Sequence, residues 1–168
     1  MREDRIKHTV DLSRWALILT LIVNAVLLAA CFLTLKTRPT FYIILGIYIL
    51  TLIFAFCYAP MSIEADGEAV ILHSLFRKRK LRYDDIDSVR LMQPTMGAVR
   101  IIGSGGYMGY WGIYSEGDIG KYFAFYGRSS DCFLIRMKDG RQYMAGCRNP
   151  HDMVDFIDTR KNPEKNGQ

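Results

Sequence analysis

The sequence predicts a two-helix transmembrane hairpin followed by a mainly antiparallel β module of about seven strands, a small sandwich or open barrel capped by a C-terminal α-helix. Three observations predict it. Two runs carry no charged residue, 21 positions from Trp15 to Leu35 and 19 from Phe41 to Ala59, and each has the length a bilayer-crossing helix needs. From Ser62 onward short alternating stretches are broken by turn residues, which is how strands read. Asn149-Pro150 then opens a segment whose apolar residues recur at helical spacing. The chain divides accordingly into an N-terminal segment 1–14, a hairpin 15–59 (helices 15–35 and 41–59), a module 61–160 and a polar tail 161–168, expected to be disordered.

Only Lys36 to Thr40 separates the apolar runs, so the helices must be antiparallel neighbours with both chain ends on one side. Unpaired backbone groups are not tolerated in hydrocarbon, which favours helices for the crossing. Trp15, Phe41, Tyr42 and Tyr58 stand at the ends of the runs, where aromatic rings anchor at the headgroup level. Pro60 stops the second helix, having no amide hydrogen to continue it. Leu28-Ala29-Ala30-Cys31 also looks like a lipoprotein cleavage site. Acidic Glu3, Asp4 and Asp11 and the apolar continuation Phe32-Leu33-Thr34-Leu35 favour an uncleaved helix instead. Asn24 is the most polar residue of the first helix. A bond to the companion helix or to its own backbone is the favoured expectation, ahead of a contact to a separate partner helix.

Charge gives the orientation. Arg2, Arg5, Lys7 and Arg14, then Arg77, Lys78 and Arg79, lie on the side holding both termini, against Lys36 and Arg38 in the hairpin loop. By the positive-inside rule both termini and the β module face the cytoplasm. The net charge of +5 does not point to nucleic acid, because residues 60–160 carry 14 bases and 13 acids, and a nucleic-acid binder concentrates its surplus on the folded domain.

Within the module, Ser62–Ala65 and Glu68–Phe76 flank Asp66-Gly67, a strong hairpin pair. Lys80–Arg82, Ile86–Met92 and Ala98–Ile102 follow, and Gly103 to Gly120 is expected as a glycine- and aromatic-rich loop. Lys121–Tyr126 and Cys132–Met137 resume the strands, and Asp139-Gly140 turns the chain into Arg141–Ala145. Asn149 is a good N-cap, Pro150 suits the first helical position and Asp152 the first turn. Met153, Phe156 and Ile157 then form an apolar stripe fit to plug an open end of the β structure.

Two membrane helices, these strands and one terminal helix resemble bacterial membrane-anchored proteins with a pleckstrin-homology-like (PH-like) domain. The likeness rests on Met61-Ser62-Ile63, on Leu81-Arg82-Tyr83-Asp84-Asp85-Ile86 leading into Asp87-Ser88-Val89, and on Gly103-Ser104-Gly105-Gly106-Tyr107. Asp139-Gly140 and Asn149-Pro150 add to it. The resemblance implies a non-enzymatic module in the bacterial inner membrane that binds lipid, peptide or protein, or assembles with itself. Lipid-binding relatives in eukaryotes grip phosphorylated inositol with basic residues around the first strand-joining loop. Here that loop is Ala65-Asp66-Gly67-Glu68, acidic and short, so the resemblance does not extend to that grip.

Two stretches stand out as candidate sites. Arg77-Lys78-Arg79-Lys80 with Arg82 is the densest basic run, and cations beside a cytoplasmic leaflet are attracted to anionic lipid at ~1 kcal/mol each. A solvated edge strand is the plainer reading, since lysine there discourages aggregation. Tyr107, Tyr110, Trp111 and Tyr114 crowd the glycine-rich stretch, as rings do that dip into a membrane surface or seat a partner. Packing over an open end of the module is the alternative. Nothing suggests a cofactor or metal: the cysteines make no Cys-x-x-Cys pair and His8, His73 and His151 are scattered. Asp84, Asp85 and Asp87 fit backbone-capping roles better than paired-carboxylate catalysis. The expected function is an interaction module that forms homo-oligomers or docks a protein partner at the membrane. A sensor of anionic lipid and an accessory subunit of a membrane complex are the alternatives.

Overall fold

The computed structural model describes residues 5–95 and 97–161. Arg2, Glu3, Asp4 and the tail beyond Lys161 lie outside these residues. The chain runs β1 (Ile6–Thr9), α1 (Arg14–Leu33), α2 (Arg38–Tyr58), β2 (Ser62–Ala65), β3 (Ala69–His73), β4 (Lys78–Arg82), β5 (Ile86–Leu91), β6 (Val99–Gly106), β7 (Gly109–Glu116), β8 (Gly120–Tyr126), β9 (Cys132–Met137), β10 (Gln142–Gly146) and α3 (Pro150–Lys161). The fold class is the one expected: two apolar helices, mainly antiparallel β structure and a terminal helix.

Ser13 caps α1, its Oγ accepting from the Ala16 amide at 3.1 Å, and Pro39 sits in the first turn of α2, where its missing N–H costs nothing. At 20 and 21 residues both helices are long and apolar enough to cross a membrane. They meet through Asn24. Its Nδ2 donates to the Thr20 carbonyl at 2.7 Å, and Tyr48 Oη on α2 donates to its Oδ1 at 3.0 Å. Away from that seam the helices turn apolar side chains outward, with Leu21 71% and Phe32 74% exposed.

The strands form two sheets. One has the order β1-β2-β3-β4, every neighbour antiparallel. The other has the order β5-β9-β10-β8-β7-β6, with β8 and β10 its one parallel pair among the described residues. Between the sheets lies the main core, where Ile63, Val70, Leu72 and Leu81 meet Phe125, Phe133, Ile135 and Tyr143. Met153 and Ile157 of α3 close one end, fully buried. Burying each such large apolar side chain is worth about 1.5–3 kcal/mol. On the outer face of the larger sheet Tyr114, Tyr122, Tyr126, Leu134 and Met144 form a second cluster, covered by Met92 and Ala98 of the connection that carries the chain from β5 to the opposite edge strand β6. Glu116 is buried there, accepting from the Thr95 amide at 3.0 Å and lying 3.4 Å from Tyr122 Oη.

Two expectations need correction. The N-terminal segment, where no strand was expected, holds one: Ile6–Thr9 pairs antiparallel with β2, Ile6 opposite Ala65 and Thr9 opposite Ser62. Side chains hold it there, since His8 Nε2 lies 2.7 Å from Asp152 on α3 and Arg148 grips Asp11 at 3.0 and 3.2 Å. The stretch Gly103 to Gly120, expected as a loop, is largely a β-hairpin of β6 and β7, and the described residues of 61–161 form nine strands, close to the about seven expected. Its glycines serve strand pairing. Gly103 and Gly112 stand opposite one another at φ +123° and +120°, backbones too close for any side chain.

The tip of this hairpin lies against α1. A Cβ at Gly106 would stand 3.1 Å from Leu19 Cδ2 and 3.9 Å from the Ala16 Cα, and the Met108 amide donates to Thr20 Oγ1 at 2.8 Å. Ala16 is completely buried.

Gly112→Ala places a Cβ 2.2 Å from the Ile102 carbonyl oxygen and is expected to lower unfolding free energy by about 3 kcal/mol. Gly117→Ala, where the added methyl meets open space, should leave the thermal midpoint unchanged, and equal midpoints for both variants would contradict the pairing. A second expectation concerns His73. Burial lowers its pKa below 6.5, against the opposing pull of Glu64, whose Oε2 is 3.1 Å from Nε2. The contribution to stability is therefore complete above pH 6.5 and lost as pH falls through the folded-state value. An NMR titration of the His73 ring should show a midpoint below 6.5, and a midpoint at or above it would refute the assignment.

Candidate functional site

The end of α2 organises a surface that carries Arg77, Arg79 and Trp111 of the expected site residues. Only Ala59, Pro60 and Met61 separate α2 from β2, so the module has no flexible tether. Tyr58, in the last turn of α2, stacks on Trp111 of β7 with ring centroids 5.6 Å apart. Arg77 also meets the ring, with the guanidinium 5.0 Å from its centroid and Nη1 donating to Tyr58 Oη at 2.6 Å. The β3–β4 turn projects Leu75 and Phe76 beside this cluster, and the exposed Phe76 ring meets Phe56 of α2 edge-on at 6.3 Å.

The basic run lies on β4, the edge strand of the smaller sheet. Its side chains diverge. Lys80 pairs with Glu68 at 3.1 Å and Arg82 with Asp84 at 3.5 Å, both at the exposed surface, where such pairs are worth little. Lys78 is exposed. Arg77 and Arg79 turn toward α2 and the larger sheet, and Arg79 lies flat over Phe123 at 4.1 Å with Tyr143 at 5.6 Å. A recess of about 320 Å³ opens between Tyr58, Ser74 and the run Arg77–Lys80.

The aromatic residues expected on a loop stand on strand positions or at the hairpin tip. Tyr110 stacks on Tyr126 at 5.0 Å and Tyr114 on Tyr122 at 6.0 Å. Tyr114 is buried, its hydroxyl donating to the Ser104 carbonyl. Trp111 Nε1 donates to the Tyr107 carbonyl at 3.2 Å. The four rings therefore do not act as one surface: Tyr107 is at the α1 contact, Trp111 at the α2 contact, and Tyr110 and Tyr114 in the outer cluster. Asn24 stays within the helical hairpin.

Sequence reasoning missed a concavity of about 790 Å³ between α2 and the part of the larger sheet that the smaller sheet leaves uncovered. Ile102, Ile113 and Phe123 form its floor, Phe54 and Tyr58 one wall, and Arg79 and Lys121 its charge. Asp139 also lines it, but is held by Arg141, whose guanidinium and amide keep the carboxyl below its usual range. One signal was available: Lys121 alternates with Phe123 and Phe125 on β8, a cation at a core-facing register position.

The acidic loop that replaces the inositol-gripping one is folded on itself. Asp66 Oδ1 accepts from the Glu68 and Ala69 amides, both at 2.8 Å, and these lower its pKa. Burial raises the thiols of Cys132 and Cys147, the latter to about 12, which leaves both protonated and poorly nucleophilic at neutral pH.

The family described as Bacterial PH domain matches residues 61–161, β2 through α3. No curated protein and no solved structure matches the chain. The matched segment is more than half of the chain and coincides with the two-sheet core and its plugging helix, and on that ground the chain belongs to the bacterial PH domain family.

Proposed function

We propose that the protein is a membrane-anchored, non-catalytic interaction module: α1 and α2 cross the bacterial inner membrane as a hairpin, the termini and the PH domain face the cytoplasm, and the domain docks a second copy or another protein at the membrane surface. One observation carries the reading. The domain is seated directly on the helices, by Met108 on Thr20, Trp111 on Tyr58 and Gly106 beside Leu19, which fixes the height and angle at which its faces are presented. Apolar side chains all around the two helices support the crossing, and the Lys/Arg distribution supports the orientation. A fixed platform suits a scaffold, in which a partner meets a preorganised surface and loses little entropy on binding.

A second reading, contact with anionic lipid through Arg77, Lys78, Arg79, Lys80 and Arg82, is favoured by one feature. The Arg77 guanidinium is held on Tyr58 at the end of α2, beside the exposed apolar turn Leu75-Phe76. Cations next to apolar side chains at a helix end match the headgroup boundary.

Orientation is tested in spheroplasts with a membrane-impermeant maleimide. Thr37→Cys, between the helices, should label before permeabilisation and Ser129→Cys, in the PH domain, only after it; the reverse order removes the cytoplasmic assignment. Docking is tested by amine cross-linking in native membranes. A discrete adduct above the 19.3 kDa chain is expected, and a chain that stays at its own mass, while known complexes in the same membranes cross-link, counts against an interaction module.

A further inference from the structure

We propose that the groove between α2 and the uncovered end of the larger sheet is a binding site for one anionic phospholipid. Arg79 and Lys121 would take the phosphate, and Ile113, Ile102 and Phe54 would line the path of an acyl chain. The proposal rests on the reading of α1 and α2 as membrane-crossing helices and adds to it a specific ligand site.

The groove exists because the two sheets differ in width. Strands β5, β9, β10 and β8 are roofed by the four-stranded sheet and α3, whereas β7 and β6 extend beyond the roof. On that overhang Ile113 pairs across the sheet with Phe123 and with Ile102, so all three occupy the face that is core elsewhere. Ile102 nevertheless remains 64% exposed and Ile113 42%. An apolar floor continuous with a core, left open, is how a ligand site is built.

Chemistry selects the occupant. One wall is α2 itself: Phe54 lies one turn inside the helix end marked by Tyr58, about 6 Å along the axis. A ligand in the groove thus touches a residue at bilayer depth and, at its other end, two cations outside the helix. Arg79 is pinned over Phe123 and Tyr143 rather than paired with a carboxylate, and Lys121 forms no ion pair among the described residues. Among the described residues that line the groove Asp139 is the one carboxylate, and it is already paired with Arg141 at 2.6 Å. The surplus positive charge demands an anion and the floor demands hydrocarbon, which together describe an anionic amphiphile. A second copy of the chain packed groove to groove would set the same two cations against themselves, which is unfavourable. The acidic loop Ala65–Glu68 takes no part, so the site is separate from the inositol-gripping position of eukaryotic relatives.

The test uses the full chain in dodecyl maltoside, titrated with dioleoyl phosphatidylglycerol or with zwitterionic dioleoyl phosphatidylcholine and read by native mass spectrometry. One phosphatidylglycerol should saturate the protein, with phosphatidylcholine about tenfold weaker. Lys121→Gln, at an exposed position, should weaken phosphatidylglycerol about tenfold. Arg79→Gln should do the same and Arg79→Lys should restore most of the loss, which separates charge from any packing role of the guanidinium. Arg90→Gln, the same charge change on the opposite edge strand β5, should have no effect. Equal retention of the two lipids, losses in Arg90→Gln as large as in Lys121→Gln, or a dimer that excludes lipid would each overturn the proposal. Because the titration is done in micelles, failure here leaves the maleimide result standing, and failure of that labelling does not remove a lipid adduct seen here.

Discussion

Where the β6–β7 tip meets α1, Gly106 leaves no room for a side chain of its own against Leu19, and the Met108 amide donates to the Thr20 hydroxyl on the helix. Such an approach is available only where side chains are absent, and it sets the angle between the helical hairpin and the PH domain. Without it the two parts would still share the Ala59–Met61 connection and the contacts of Tyr58 with Trp111 and Arg77 and of Phe56 with Phe76, all at the end of α2. With it, α1 is held as well, and the contacts together define one orientation. The position of the basic strand, the β3–β4 turn and the groove relative to the helices follows from that restraint.

The domain's asymmetry also has a simple origin. A sheet of six strands is roofed by a sheet of four, and α3 plugs one end of the space between them. Met92 and Ala98 of the returning β5–β6 connection close the outer face over Tyr114, Tyr122 and Met144. Among the described residues no strand of the smaller sheet roofs β6 and β7 on the inner face, so Ile102 and Ile113, which would be core in a more symmetrical sandwich, remain open beside α2. Arg79 softens this boundary by laying its guanidinium over the last aromatic rings of the core.

Much of the architecture was readable because its signals are local. Asp66-Gly67 and Asp139-Gly140 turn the chain wherever they occur between alternating stretches, and the strands beside them lie near where they were expected. Asn149, Pro150 and the Met153–Ile157 stripe likewise announce a helix with one buried face. The glycine-rich stretch was misjudged because glycine is a poor strand former by propensity. Its role there is close packing, which depends on residues far away in the chain. The N-terminal strand was missed for a related reason: four residues of mixed polarity become a strand only when β2 offers an edge and when Asp11 and His8 find Arg148 and Asp152.

The candidate site divides in the same way. The basic run was visible as a cluster of charges, and the aromatic residues as a cluster of rings. Adjacency in sequence suggested that each acts together, yet a strand sends neighbouring side chains to opposite faces. Arg79 thus parts from Lys78 and Lys80, and Trp111 from Tyr110. Composition and periodicity by themselves determined the paired apolar helices, the β-rich domain and its terminal helix, because length, alternation and turn chemistry are properties of short segments. The seating of the domain on the helices and the meeting of Arg79, Lys121, Ile113 and Phe54 around one groove were decided only by the tertiary structure, because they join residues from β4, β8, β7 and α2 whose proximity depends on which strands pair and how far each sheet extends.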